Sequence, residues 1–187
     1  MRLIDEHKCE SLYGINAVFA EMKECLSKEV GWLSQCFGRV WKVQEVVNGK
    51  KIIFPSLYVG NNQYENVSPS DDLGNYSFFT LNDPTDLDNG RGYDIYNASL
   101  IMWMDLRKCF SGHDMRELES LKREVRDVVT RRFSMRNVFV SVTRVYEDAK
   151  NVFNGFTFDE TTNQSMMQPY AALRFDLQIR IYNVCLR

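Results

Sequence analysis

Cys109, His113 and Asp114 stand close enough along the chain to sketch a thiol nucleophile, a base and an orienting carboxylate. Ser111-Gly112 intervenes and breaks the helix that would set Cys109 and His113 on one face, so a buried thiol and a helix-start histidine are the plainer expectation. His7 is the only other histidine, which leaves little material for a triad or a multi-histidine metal site. Asp83, Asp86, Asp88 and Asn89 ahead of Gly90 resemble a calcium loop, because alternating carboxylates followed by glycine wrap a hard cation. No frame, however, places glycine sixth and glutamate twelfth. Neither G-x-x-x-x-G-K-[ST] nor G-x-G-x-x-G occurs, so a nucleotide phosphate has no sequence cradle. The expectation is a chain without catalytic, cofactor-binding or metal-ligating residues, that is, not an enzyme.

The elements that would position any site must come from 187 residues, enough for one globular α+β domain, 1–187, with room for a large excursion. With 23 Lys and Arg against 25 Asp and Glu, the net charge of −2 disfavours a dedicated duplex-DNA binder. No apolar run approaches the ~18 residues that a membrane helix requires. The opening Met1 to Lys8 lacks the apolar core of a secretory signal, so a chain made and working in the cytoplasm is expected. Cys9, Cys25, Cys36, Cys109 and Cys185 form an odd set without C-x-x-C and read as small buried hydrophobes.

Leu12, Ile15, Phe19, Met22, Leu26, Val30, Leu33 and Phe37 recur at helical steps and predict a long first helix over 12–37, with Ser11 as cap and Gly38 as stop. Arg39 to Val47 and Lys51 to Val59 flank Asn48-Gly49, the signature of a tight β-hairpin, and Pro55 places the second strand on an edge or at a break. Residues 60–92 are punctuated by Asn, Asp, Ser, Pro and Gly and read as an extended arm or loop, its aromatics Tyr64, Tyr76, Phe78 and Phe79 favouring docking over disorder. Tyr93 to Leu106 predicts a central strand, 114–132 a second helix capped by Asp114, and Val138 to Tyr146 a further strand. Residues 150–169 form a second arm with Phe153, Phe156, Phe158, Met166 and Met167. In the final strand, Ala171 to Cys185, alternation is strict, and a strand of such length is expected to leave its own sheet in part. The sum is an α+β fold: a largely antiparallel or mixed sheet, two main helices packed on it, and two long excursions.

Charge is segregated. Between Gly60 and Leu106 eight acids stand against Arg91 alone, whereas Arg107 to Lys150 holds eleven bases against seven acids. Ordinary solvated faces produce such patterns. The sharper expectation is that one subunit's acidic arm meets another's basic helix, with Asp86, Asp88, Arg126 and Arg132 as steering charges.

The element order resembles the tail-terminator and tail-completion proteins of tailed bacteriophages. The stretch Gln168-Pro169-Tyr170-Ala171-Ala172-Leu173-Arg174-Phe175-Asp176-Leu177-Gln178-Ile179 is similar to terminal segments of such proteins in phages of Bacteroides-type hosts, including the crAss-like group. The resemblance implies a virion protein, assembled in the host cytoplasm, that closes as a homo-oligomeric ring at the head–tail connector, neck or tail end. Its implied partners are copies of itself and neighbouring portal, adaptor or tail proteins, with DNA passing through the lumen in weak contact and no membrane. On that reading Tyr76, Phe78, Phe79, Phe156, Phe158, Met166 and Met167 join the steering charges at the subunit interface, and changing Phe78 and Phe79 to Ser blocks assembly while the monomer still folds. A non-catalytic protein-binding adaptor outside a virion stays open as the alternative.

Overall fold

The computed structural model describes residues 1–4, 6, 13–87, 90, 92–110, 118–131, 137–157 and 169–182, with the side chains of 83 and 84 left aside. Helix α1, Ile15–Glu29, buries Ile15, Val18, Phe19, Met22 and Leu26, the stripe that helical spacing predicts. It does not run on to Phe37. Gln35–Arg39 is instead a short strand, β1, lying parallel to β5 (Tyr76–Asp86), with Gln35 opposite Tyr76 and Arg39 opposite Phe79. Leu33 and Phe37 keep a helical phase, but pairing with a strand distant in sequence decides the backbone there.

The hairpin forms as expected from β2 (Trp41–Val47) and β3 (Lys50–Gly60), turned by Asn48 and Gly49 at φ 51° and 74°. A fourth strand, β4 (Gln63–Asn66), pairs with β3 to complete a three-stranded sheet, so Pro55 lies in a middle strand and not on an edge. The sheet tolerates it because the Pro55 carbonyl accepts from the Val67 amide at 3.0 Å. Its nitrogen therefore points to the β4 side, where the ladder ends at the Ser56–Asn66 pair.

Of the stretch 60–92, residues 60–87 are a folded part of the domain and not an arm. Beyond β4 it holds a 3-10 turn at Asp71–Leu73 and then β5, an interior strand of a five-stranded sheet. That sheet runs β1-β5-β6-β8-β7, with β6 at Tyr93–Asp105, β7 at Val138–Tyr146 and β8 at Tyr170–Tyr182. Strand β8 does not leave it. Thirteen residues of β8 pair with thirteen of β6, from Tyr93 opposite Tyr182 to Asp105 opposite Tyr170, and β7 covers the other edge. The length of β8 is thus matched by an equally long neighbour.

Two helical segments follow β6, α2 (Leu106–Cys109) and α3 (Leu118–Val129), and α4 (Ala149–Val152) follows β7. The expected cap Asp114 lies outside the described residues, as does most of the second excursion. Its beginning folds inward, since Val152 and Phe153 are buried.

The sheet is apolar on both faces at one end. Toward α1 and α3 point Phe79, Leu100, Met102, Leu173, Phe175, Leu177 and Ile179, which share one core with the helix stripes. Toward the three-stranded sheet and α4 point Tyr76, Phe78, Ile101, Trp103 and Ala172, in a second core with Phe37, Leu57, Val67, Val152 and Phe153. Farther along, this second face turns polar. Asn82 Nδ2 donates to Ser99 Oγ at 2.8 Å, Ser99 Oγ to Asp176 Oδ1 at 2.7 Å, and Arg174 Nε to the same oxygen at 2.7 Å. The even positions of β8, which alternation marks as polar, supply Arg174 and Asp176 to this row.

Candidate functional site

Tyr76, Phe78 and Phe79 were expected on an interface arm, and the structure corrects this: all three are fully buried in the chain's own core. Interior strand β5 is covered on both faces, so adjacent aromatics serve opposite layers. The Phe79 ring stacks on Phe19 of α1 at 4.9 Å, whereas Phe78 meets Phe156 edge-on at 6.3 Å. The Tyr76 hydroxyl donates to the Val67 carbonyl at 2.9 Å, and burial pushes its phenol well above the usual range. Phe156 is half-buried beneath the small sheet, with the Lys42 ammonium 5.8 Å from its ring centroid. Asp86 is exposed at the end of β5 and Arg126 is exposed on α3. Asp88, Arg132, Phe158, Met166 and Met167 lie outside the described residues.

The basic helix has less charge to offer than its sequence suggests. Lys122 is held by both Glu119 and Glu147, and Arg131 by Glu29. Cys109 packs beside the Asn75 amide nitrogen at 3.4 Å, and burial first, then the Asp105 and Glu124 charges, push its thiol up to about 12. A thiol so raised stays protonated at neutral pH, which leaves it a poor nucleophile. Its proposed partners His113 and Asp114 lie outside the described residues. Among the described residues no three His, Cys, Asp or Glu side chains gather where they could hold a metal ion.

Two surface features remain, and neither was singled out from sequence. The first is the hairpin: most of β2 and the first two residues of β3 are exposed, including Trp41, Val46 at 66% and Val47 at 45%, with Lys42, Lys50 and Lys51 around them. An isolated two-stranded ribbon is marginal in water, so exposed valines at its tip are a cost unless something covers them. The sequence signal was available, since Val46-Val47 next to the turn leaves neither ribbon face polar.

The second is a cleft of about 660 Å³ between α1 and the small sheet. Phe19, Ala20, Leu57 and Tyr58 line its floor, and the Lys23–Glu6 ion pair crosses its wall. At its mouth the Arg39 guanidinium lies 4.0 Å from the Trp41 ring centroid, a cation–π stack. The Glu6 carboxylate also accepts from the Gly38 amide at 3.1 and 3.2 Å, and a Cβ at Gly38 would run into it.

No family model matches this chain, and no curated protein matches it.

Proposed function

We propose that the chain is a structural virion protein of a tailed bacteriophage, closing as a homo-oligomeric ring at the head–tail connector, neck or tail end and joining the portal side to the tail. Neighbouring portal, adaptor or tail proteins contact the rims, and DNA passes the lumen in weak contact, in keeping with the −2 net charge. The observation that carries this reading is the hairpin. A ribbon with Trp41, Val46 and Val47 exposed has the chemistry of a contact made by another chain. Ring closure needs two unlike patches on each copy, and an arm that meets a body elsewhere on the next copy satisfies that requirement.

The alternative of an adaptor module outside a virion draws on the cleft, because an apolar, aromatic-floored concavity of this volume suits a peptide or small ligand. Light scattering over a concentration series, with negative-stain images of the same sample, tests the two. Closed rings are the expected result. A monomer at every concentration favours the adaptor.

A further inference from the structure

The two sheets end on β1, β7, β2 and β4, and an end strand left bare invites pairing with any extended chain. Three of these ends are guarded. Strand β4 is four residues long, the Gly38 amide of β1 is taken by the Glu6 carboxylate, and β7 is broken by a bulge between Val142 and the exposed Arg144. Strand β2 has no such guard. It keeps an unbroken register with β3 from Trp41 to Val47, and six of its seven residues are exposed. Lys42, the cation that would shield this edge, is drawn back over its own chain, its ammonium 5.8 Å from the Phe156 ring centroid.

The open edge has a defined chemistry. Pro55 and Ile53 turn their carbonyls away from β2, to the Val67 amide at 3.0 Å and to the Thr157 amide at 2.6 Å. Their antiparallel partners Lys42 and Gln44, and by alternation Val46, therefore turn their own N–H and C=O groups away from β3. Among the described residues no backbone group pairs with these. We infer that β2 pairs with β2 of a second copy, antiparallel and centred on Gln44, so that the two ribbons form one continuous sheet. In that register Gln44 faces Gln44 and Lys42 faces Val46, and all three residues exchange both bonds. Trp41, 42% exposed, meets Val47, 45% exposed, an aromatic ring on a β-branched side chain, and Glu45 meets Val43. Neighbouring registers are worse. A slip of one step in one direction sets Glu45 opposite Glu45, and in the other it carries Val46 and Val47 past the end of the facing strand. The pairing is two-fold, so it is separate from the contact between unlike patches that closes a ring, and where rings form it joins two of them ribbon to ribbon.

Gln44→Pro removes the amide at the centre of the edge and leaves the β2–β3 ladder whole, because that amide faces away from β3. The variant is first required to melt within a few degrees of the wild type. Sedimentation equilibrium over a concentration series should then show it associating roughly tenfold or more weakly than the wild type, one bond per copy being lost. Gln44→Cys tests the register independently. The Cα atoms of a bonded antiparallel pair lie about 5.5 Å apart, within reach of a disulfide, so mild oxidation should link two copies of that variant through position 44. Glu45→Cys, placed opposite Val43, should stay unlinked under the same conditions, and peptide mapping reads both. Position 44 linking no faster than position 45, or a folded Gln44→Pro chain associating as the wild type does, overturns the pairing. So does a wild type that is monomeric throughout the series. Single rings that Gln44→Pro leaves unchanged overturn it as well and leave the ring reading standing.

Discussion

The ring of Phe79 lies flat on that of Phe19, 4.9 Å between centroids and 14° from parallel, and so fastens α1 to a strand in the middle of the sheet. Stacked rings in a dry core contribute packing beyond their buried area. Phe79→Ala should cost about 3–5 kcal/mol of monomer stability. The check is the urea midpoint of the isolated chain. A variant that folds with wild-type stability yet fails to assemble would restore the interface role that the sequence suggested for this residue.

Asn75 is fully buried and ties three segments together. Its Nδ2 donates to the Trp32 carbonyl at 3.0 Å, its Oδ1 accepts from the Asp105 amide at 2.8 Å, and its own carbonyl receives the amides of Ser34 and Gln35. Asn75→Ala strands a buried amide and a partly buried carbonyl, a loss of roughly 2–4 kcal/mol. Chemical denaturation reads it, and hydrogen exchange should show the Asp105 amide losing protection ahead of the sheet.

Asp105 sets an acid limit on the fold. Its carboxylate, buried at the start of α2, is held below the usual range chiefly by the hydrogen bonds from the Arg107 side chain, at 2.9 Å to each oxygen, with the Arg107 amide helping and burial opposing. A carboxylate whose folded pKa is depressed adds stability above its unfolded value near 3.9, and that stability disappears as pH falls toward the folded value. Asp105→Asn keeps an oxygen for the helix cap and removes the charge. The variant should be less stable than wild type at pH 7, and the gap should close below pH 4. A gap unchanged from pH 7 to pH 3 would assign the effect to packing alone.

Much of the architecture was legible before the structure. The hairpin, β6 and β7 show in local chemistry: a positive-φ Asn-Gly pair, β-branched runs and alternation that reports two sheet faces. Where reading failed, the deciding partner was remote. Residues 35–39 continue a helical spacing and become a strand only because β5 is there to pair with. Tyr76, Phe78 and Phe79 looked like sticky side chains on a loop, since polar neighbours on either side hide the fact that both faces of β5 are covered. The hairpin was found but its exposure was not: Val46-Val47 beside the turn marks an apolar tip, yet how much of it stays open is decided by where β4 stops pairing with β3.

Cys109 provides a chemical probe of the helix side of the core. With its thiol raised to about 12, the native protein holds about a thousandfold less thiolate there than an ordinary cysteine would at the same pH. A thiol reagent at pH 8 should therefore label Cys109 slowly until urea unfolds the chain. Peptide mapping of the labelled sites checks this, and rapid labelling of Cys109 in the folded protein would show that the pocket around it opens.

The position of β8 bears on how the chain is made. Among the described strands it emerges from the ribosome last, and its place is between β6 and β7, both synthesised earlier. Until then those two strands cannot meet, and each presents a long row of unsatisfied amides and carbonyls to whatever is nearby. The nascent protein thus carries an open slot in the sheet until β8 has been made, and closing that slot must outrun capture by another half-made copy on the same message.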